Sequence, residues 1–163
     1  MKILGISLIV LSFVVSGCDE VDEYIKNKAP TSVDSNELVI LVNDVRKSGY
    51  YCGDVWYPAV QTIRWSSHIQ QASQIHCNDM SENDIFEHEG TDGSSPGDRL
   101  LRVGYNWSTY GENIATGFSE ETEVMQAWLD SPGHCKNIMN GSFTEMGVAT
   151  KNRYWTQDFA LAK

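Results

Sequence analysis

Apolar residues recur with helical spacing in the first half of this chain. Asp34-Ser-Asn-Glu37 has the spacing of a capping box, and apolar residues follow it at Leu38, Leu41, Val42 and Val45. Gly49 is a typical residue for a helix C-terminus. A first helix is therefore predicted between Asp34 and Gly49.

A second, longer helix is predicted from Trp65 to about Glu82. Its apolar stripe consists of Ile69, Ala72, His76 and Met80. His76 is expected to be a structural histidine whose polar atoms are satisfied by a neighbour. The segment between the two helices, YYCGDVWYPA, is predicted to be a turn-rich aromatic loop.

The second half of the chain mixes short elements with loops. FEHEGTDGSSPGDRL is rich in Gly, Ser and Asp and should form a loop that leads into a helical piece around 98–103. A strand is predicted at YGENIATG and a third helix at 119–130. A turn is predicted at Pro132-Gly133. FTEMGVATKNRYWTQDFALA predicts two strands joined at Lys151-Asn152. Helices followed by paired strands indicate an α+β fold, with too few crossovers for a parallel sheet.

The N-terminus has the pattern of a bacterial export signal. Lys2 precedes an apolar run from Ile3 to Val15, which is shorter than the roughly 20 residues of a comfortable membrane span. The run ends in Val-Ser-Gly-Cys, which resembles a lipobox with Cys18 as the lipidated residue. The alternative is an ordinary signal peptide that happens to precede a cysteine. We expect a lipoprotein signal peptide at 1–17, the lipidated cysteine and a polar tether at 18–35, and one domain at 36–163.

Composition and charge limit the kinds of molecule that this protein is expected to bind. The formal net charge is −10 and no basic run is present, so nucleic acid is not an expected partner. Contact with a membrane should depend on the acyl anchor, which would hold the protein in the cell envelope, facing the periplasm or the exterior. Export also permits disulfides. Cys52, Cys77 and Cys135 then leave one thiol unpaired, and their spacing alone does not decide the pairing.

Familiar catalytic motifs fail on physical grounds. Residues 93–97 match G-x-S-x-G, but the residue after the serine is Pro96, which has no N–H for an oxyanion hole. His88-Glu89 begins no H-E-x-x-H motif, because Asp92 occupies the fifth position. Cys135 with adjacent His134 is a poor nucleophile–base pair, because neighbouring side chains usually diverge.

Five motifs in order resemble one known family. FEHEGTDGSSPGDRL, YGENIATG, EVMQAW, SPGHCKNIMN and FTEMGVA are similar to the bacterial branch of the CAP superfamily, which includes cysteine-rich secretory, antigen 5 and pathogenesis-related 1 proteins. The similarity covers about 38–161. It implies a three-layer α-β-α sandwich with a small, mainly antiparallel sheet.

The resemblance also implies a cleft with two histidines and two glutamates. Taken singly, each of these residues has an ordinary structural explanation, such as a loop histidine or a carboxylate in a first helical turn. The residues matching the family's cleft are His88, Glu112, Glu123 and His134. Glu89 and Glu145 are the nearest alternatives for a carboxylate. Such a set suits Zn²⁺ or another divalent cation. Related sequences further imply a Cys52–Cys135 disulfide, with Cys77 as an alternative partner or a free thiol.

Two functions are compatible with this cleft. The first, which we favour, is an envelope-anchored binding module for a lipid or protein ligand. The second is a metal-dependent hydrolase or peptidase, in which Glu112 or Glu123 would activate water as a general base. The residues alone do not decide whether the protein is an enzyme.

Overall fold

The computed structural model describes residues 33–163. The predicted signal peptide, the lipidation site at Cys18 and nearly all of the tether lie outside the described residues. The helices are α1 (Ser35–Ser48), α2 (Ser67–Asn83), α3 (Pro96–Arg102), α4 (Glu121–Asp130) and α5 (Pro132–Ile138). The strands are β1 (Tyr50–Cys52), β2 (Val55–Tyr57), β3 (Arg64–Trp65), β4 (Trp107–Thr116), β5 (Glu145–Lys151) and β6 (Tyr154–Ala162).

Helix α1 begins and ends where its capping residues predict. The Asp34 carboxylate accepts hydrogen bonds from the backbone N–H groups of Asn36 and Glu37, which satisfies two free donors of the first turn. Gly49 follows the helix with φ of +74°, a conformation that a side chain would disfavour. Leu38 and Val42 are fully buried, so the predicted stripe does face the core.

The main sheet has four strands in the order β3-β5-β6-β4. Only the short β3–β5 pair is parallel, while β5–β6 and β6–β4 are antiparallel. Strands β5 and β6 are joined at Asn152 and Arg153, both with positive φ. The sheet is therefore mainly antiparallel, as expected.

The sheet separates two hydrophobic cores, which gives the α-β-α sandwich. One core contains residues of α1, α4 and α5 packed on Met146, Val148 and other strand residues. The other is smaller and forms around Ile69 and Ala72 of α2. A Cβ at Gly147 would overlap the backbone of α2 at Gln70, so glycine is required for this close approach. The predicted three-layer fold is confirmed.

Two local predictions were wrong. The predicted aromatic loop contains the β1–β2 hairpin, in which Tyr51 and Trp56 are cross-strand partners and Gly53-Asp54 is the turn. Pro132 and Gly133 are not a free turn but the first residues of α5. Proline suits this position because its fixed φ matches the helix and its missing N–H would have no intrahelical partner.

The cysteines pair as the resemblance implied. Cys52 of the hairpin and Cys135 of α5 form a disulfide with Cα atoms 5.5 Å apart. Cys77 is not an alternative partner: its buried thiol is free and donates toward the carbonyl of Ala149 at 3.2 Å. Burial raises the pKa of the Cys77 thiol to about 12. This thiol therefore stays protonated and unreactive.

Within residues 33–163, no helix is long and apolar enough to span a bilayer.

The disulfide should be a large contributor to stability. It joins residues 83 positions apart, and a cross-link of that length stabilises by about 4 kcal/mol in the chain-entropy model. Replacing Cys52 and Cys135 together by Ser should lower the free energy of unfolding by several kcal/mol in urea denaturation, of the order of 2–5 kcal/mol. A change below about 0.5 kcal/mol would contradict the prediction.

Candidate functional site

His88 and Glu112 form the centre of the candidate site. His88 lies in the loop between α2 and α3, and Glu112 lies on β4 with its carboxylate turned into the protein. His88 Nδ1 is 2.7 Å from Glu112 Oε1, and the two side chains are 54% and 2% exposed. The hydrogen bond to Glu112 raises the pKa of His88. Since Nδ1 is occupied, the other ring nitrogen, Nε2, is the one available to a ligand.

Arg99 of α3 holds both members of this pair in place. Its Nη2 donates to Glu112 Oε2 at 2.7 Å and to the His88 carbonyl at 3.0 Å. Its Nη1 donates to the Ser94 carbonyl at 2.8 Å. Arg99 is 1% exposed, so a buried cation compensates the buried carboxylate. Both Glu112 oxygens are therefore already engaged within the protein.

Asp158 lies beneath Glu112 in the sheet. The two residues are directly opposite each other on β4 and β6, and Asp158 is 1% exposed. Ser73 donates to Asp158 Oδ2 at 2.8 Å, whereas no N–H or hydroxyl group donates to Oδ1. Burial and the neighbouring Glu112 charge raise the pKa of Asp158 well above its ordinary value. The raised pKa favours the protonated form of Asp158 beside the Glu112 carboxylate.

His134 lies in the first turn of α5. Two asparagines bond this helix to β4, the strand that carries Glu112. Burial lowers the pKa of His134, and the charge of nearby His88 lowers it further. The two imidazoles are thus close enough to influence each other electrostatically. A neutral imidazole is the form that binds a metal ion.

Two asparagines fix α5 against β4. Asn113 Nδ2 donates to the His134 carbonyl at 3.2 Å, and Asn137 Nδ2 donates to the Glu112 carbonyl at 3.1 Å. The two side chains also bond each other, with Asn137 Nδ2 2.9 Å from Asn113 Oδ1. The helix that carries His134 and the strand that carries Glu112 are therefore joined by direct polar contacts.

Glu123 does not join these residues in the described structure. It is exposed in the first turn of α4, and its Oε2 accepts a hydrogen bond from the Ser119 backbone at 3.2 Å. This is the structural role considered for it above. Of the alternative carboxylates, Glu89 is exposed, and Glu145 accepts a hydrogen bond from Tyr105 at 2.6 Å.

His76 behaves as a structural histidine. It is fully buried in α2, and its Nε2–H donates to the Glu87 carbonyl at 2.8 Å. Burial is the main cause that lowers the pKa of His76, which favours a neutral ring. Its Nδ1 has no hydrogen-bond partner.

The donor set suits a metal ion only in part. Among residues 33–163, no three His, Cys, Asp or Glu side chains are arranged to hold an ion together. The contact between Glu112 and His88 Nδ1 is, however, the arrangement in which a carboxylate orients a metal-binding histidine from outside the coordination sphere. The residues therefore fit a site with His88 and His134 as ligands and Glu112 as the support of His88, while the four-residue metal set stays a prediction.

Sequence reasoning missed four residues that shape this site: Arg99, Asn113, Asn137 and Asp158. Three of them lie inside the motifs already noted, in GDRL, GEN and GHCKN. A signal was therefore present for these three. Asp158 gave none, because a carboxyl group in a predicted strand usually faces solvent.

A family comparison agrees with the fold. The model of the cysteine-rich secretory protein family, CAP, matches residues 39–159. The chain therefore belongs to the CAP family.

Two curated proteins are similar to this chain. Uncharacterized protein YkwD from Bacillus subtilis is 32% identical over 135 residues, which are 80% of this chain and 49% of the relative. Uncharacterized membrane protein YlbC from the same organism is 32% identical over 97 residues, 60% of this chain and 28% of the relative. The chain thus spans at most about half the length of these curated relatives.

Solved structures show the same fold. An extracellular protein containing an SCP domain, from Bacillus anthracis, superposes with a TM-score of 0.67 and 29% identity, covering 77% of this chain and 39% of the other. An outer surface protein from Borrelia burgdorferi has a TM-score of 0.64 at 18% identity, covering 81% and 98%, and this likeness shows the fold alone.

The proton on Asp158 should make stability depend on pH. A carboxyl whose pKa is raised on folding contributes stability that is lost as pH rises above its unfolded value, near 3.8. Asp158→Asn keeps the shape of the side chain but removes this titration. The stability of the variant relative to wild type should therefore increase from about pH 4 to pH 7 in urea denaturation. A difference that is constant over this range would contradict a protonated Asp158.

Proposed function

We propose that this chain is a binding domain of the bacterial cell envelope whose cleft takes a divalent metal ion on His88 and His134. The observation that supports the proposal best is the 2.7 Å contact between Glu112 and His88 Nδ1. It leaves Nε2 of this half-exposed ring free and fixes the ring that would coordinate the ion. A bound ion would supply a positive charge able to hold an oxygen-bearing group of a lipid or protein ligand.

Binding is a better explanation of the cleft than hydrolysis. A general base must have a carboxylate oxygen free to take a proton from water. The Glu112 oxygens are held by His88 and by the permanent charge of Arg99. Glu123 is exposed and bonds the backbone at Ser119. Neither carboxylate is therefore prepared to activate water between the two histidines.

Metal titration tests this site directly. Purified protein should bind one Zn²⁺ per chain in calorimetry, and His88→Ala or His134→Ala should weaken binding at least tenfold, since each removes one ligand. His68→Ala is the matched control, because His68 is an exposed histidine in the first turn of α2. It should leave the affinity unchanged.

The opposite pattern would refute the proposal. If His88→Ala and His134→Ala bind Zn²⁺ as tightly as wild type, the cleft is not the metal site. Circular dichroism of both variants verifies that any loss of binding does not come from unfolding. Metal-dependent cleavage of a peptide library by wild type, abolished in Glu112→Gln, would instead support the hydrolase.

We further propose that the domain is held at a membrane by acyl chains on Cys18. The sequence around this residue matches a lipobox, and the similar proteins include one named extracellular, one an outer surface protein and one a membrane protein. A body with a formal charge of −10 would not bind anionic lipid by itself.

Lipid labelling tests the anchor. Cells that express the chain with an alkyne-labelled fatty acid should incorporate label into wild type but not into Cys18→Ser. Cys77→Ser is the matched control and should retain the label, because the Cys77 thiol is buried and free. Equal labelling of Cys18→Ser and wild type would remove the anchor from the proposal.

A further inference from the structure

A second cavity lies on α5, the same helix that carries His134. It has a volume of about 330 Å³, which places it near the lower end of ligand-binding pockets. One wall is the segment that follows β1 and β2, and the other is the end of α5 with its following loop. The lining residues are Tyr57, Pro58, Val60, Lys136, Met139, Asn140 and Gly141.

Both walls of this cavity are fixed in place. The disulfide joins Cys52 of the hairpin to Cys135 of α5. Arg46, fully buried in α1, donates to the carbonyls of Gln61, Ile138, Asn140 and Phe143. The Arg46 carbonyl in turn accepts from the Val60 N–H at 2.8 Å. The cavity is therefore formed before any ligand arrives, which removes an ordering cost from binding.

The charge around the cavity is opposite to that of the whole chain. The chain has a formal charge of −10, yet no Asp or Glu lines this cavity. Lys136 lines it, and among the described residues no carboxylate lies within ion-pairing distance of Lys136 or of the Arg46 guanidinium. Arg46 does not line the cavity and its guanidinium is engaged by four backbone carbonyls, so the charge that favours an anion at this place is that of Lys136.

The other lining residues favour a ligand whose remaining part, beyond the anionic group, is apolar. Tyr57, Pro58, Val60 and Met139 present ring and aliphatic surface. The Asn140 Oδ1 accepts from the Ser142 N–H at 2.9 Å, so the amide nitrogen of Asn140 is the group left to donate. Apolar walls with a few polar groups are the usual composition of a small-molecule site.

From these observations we infer that the cavity between the hairpin and α5 binds a small apolar carboxylate, with the acid group at Lys136 and the body against Tyr57, Val60 and Met139. The site is separate from the metal cleft and does not depend on it. A free small acid is the occupant that the volume favours, since the walls leave no room for a folded partner.

Matched aromatic probes test the inference. In ¹H–¹⁵N NMR titrations of the purified protein, 2-naphthoate should bind saturably and shift the amides of Tyr57, Ala59, Val60 and 136–141. Neutral 2-naphthamide, of the same shape, should bind at least tenfold more weakly, because a hydrogen bond to a charged group contributes about 1.5–3 kcal/mol. Equal affinity for the acid and the amide would overturn the inference.

Substitutions test where the acid group and the apolar part of the probe bind. Lys136→Gln should weaken 2-naphthoate binding at least tenfold while leaving the weak binding of the amide unchanged. Lys47→Gln is the matched control, because Lys47 is an exposed lysine in the last turn of α1 and does not line the cavity. Val60→Phe should fill the cavity and abolish binding of both probes.

The outcomes separate this site from the metal cleft. His88→Ala should leave 2-naphthoate binding unchanged, and Lys136→Gln should leave zinc binding unchanged. If Lys47→Gln weakens 2-naphthoate as much as Lys136→Gln does, the effect is one of overall charge and the inference fails. It also fails if 2-naphthoate shifts only amides outside the two walls. Because Lys136 is exposed, its substitution is not expected to disturb folding.

Discussion

The buried ion pair between Arg99 and Glu112 is the interaction on which the candidate site depends. Leaving either charge without its partner would cost about 3–5 kcal/mol, because neither group could regain the water it lost on folding. The same Arg99 side chain also bonds the His88 and Ser94 carbonyls. One residue thus compensates the charge of the strand and fixes the loop that carries the histidine.

The carboxyl groups around this ion pair have different roles because their surroundings differ. Glu112 is in contact with Arg99 and His88, while Asp158, opposite it in the sheet, is bonded by Ser73 and has no cation in contact. Burial therefore raises the pKa of Asp158, whereas Glu112 is paired with Arg99. This arrangement orients His88 without leaving a carboxylate free for acid–base chemistry, which is why we favour binding over hydrolysis.

The short helix α5 links three features of the molecule. His134 is on its first turn, Cys135 joins it to the hairpin, and Lys136 lines the second cavity. Asn113 and Asn137 hold the same helix against β4. The disulfide and the asparagines thus fix the helix that carries His134.

The amino-acid sequence by itself determined the order of elements, the cap of α1, the buried stripe of α2 and, through its motifs, the family and the Cys52–Cys135 pair. These features depend on local spacing or on short patterns that survive without knowledge of contacts. Only the tertiary structure decided that Glu123 lies apart, that Pro132-Gly133 starts a helix and that Asp158 faces Glu112. These depend on which residues meet across the sheet, and contacts between residues tens of positions apart leave no periodic signal in the chain.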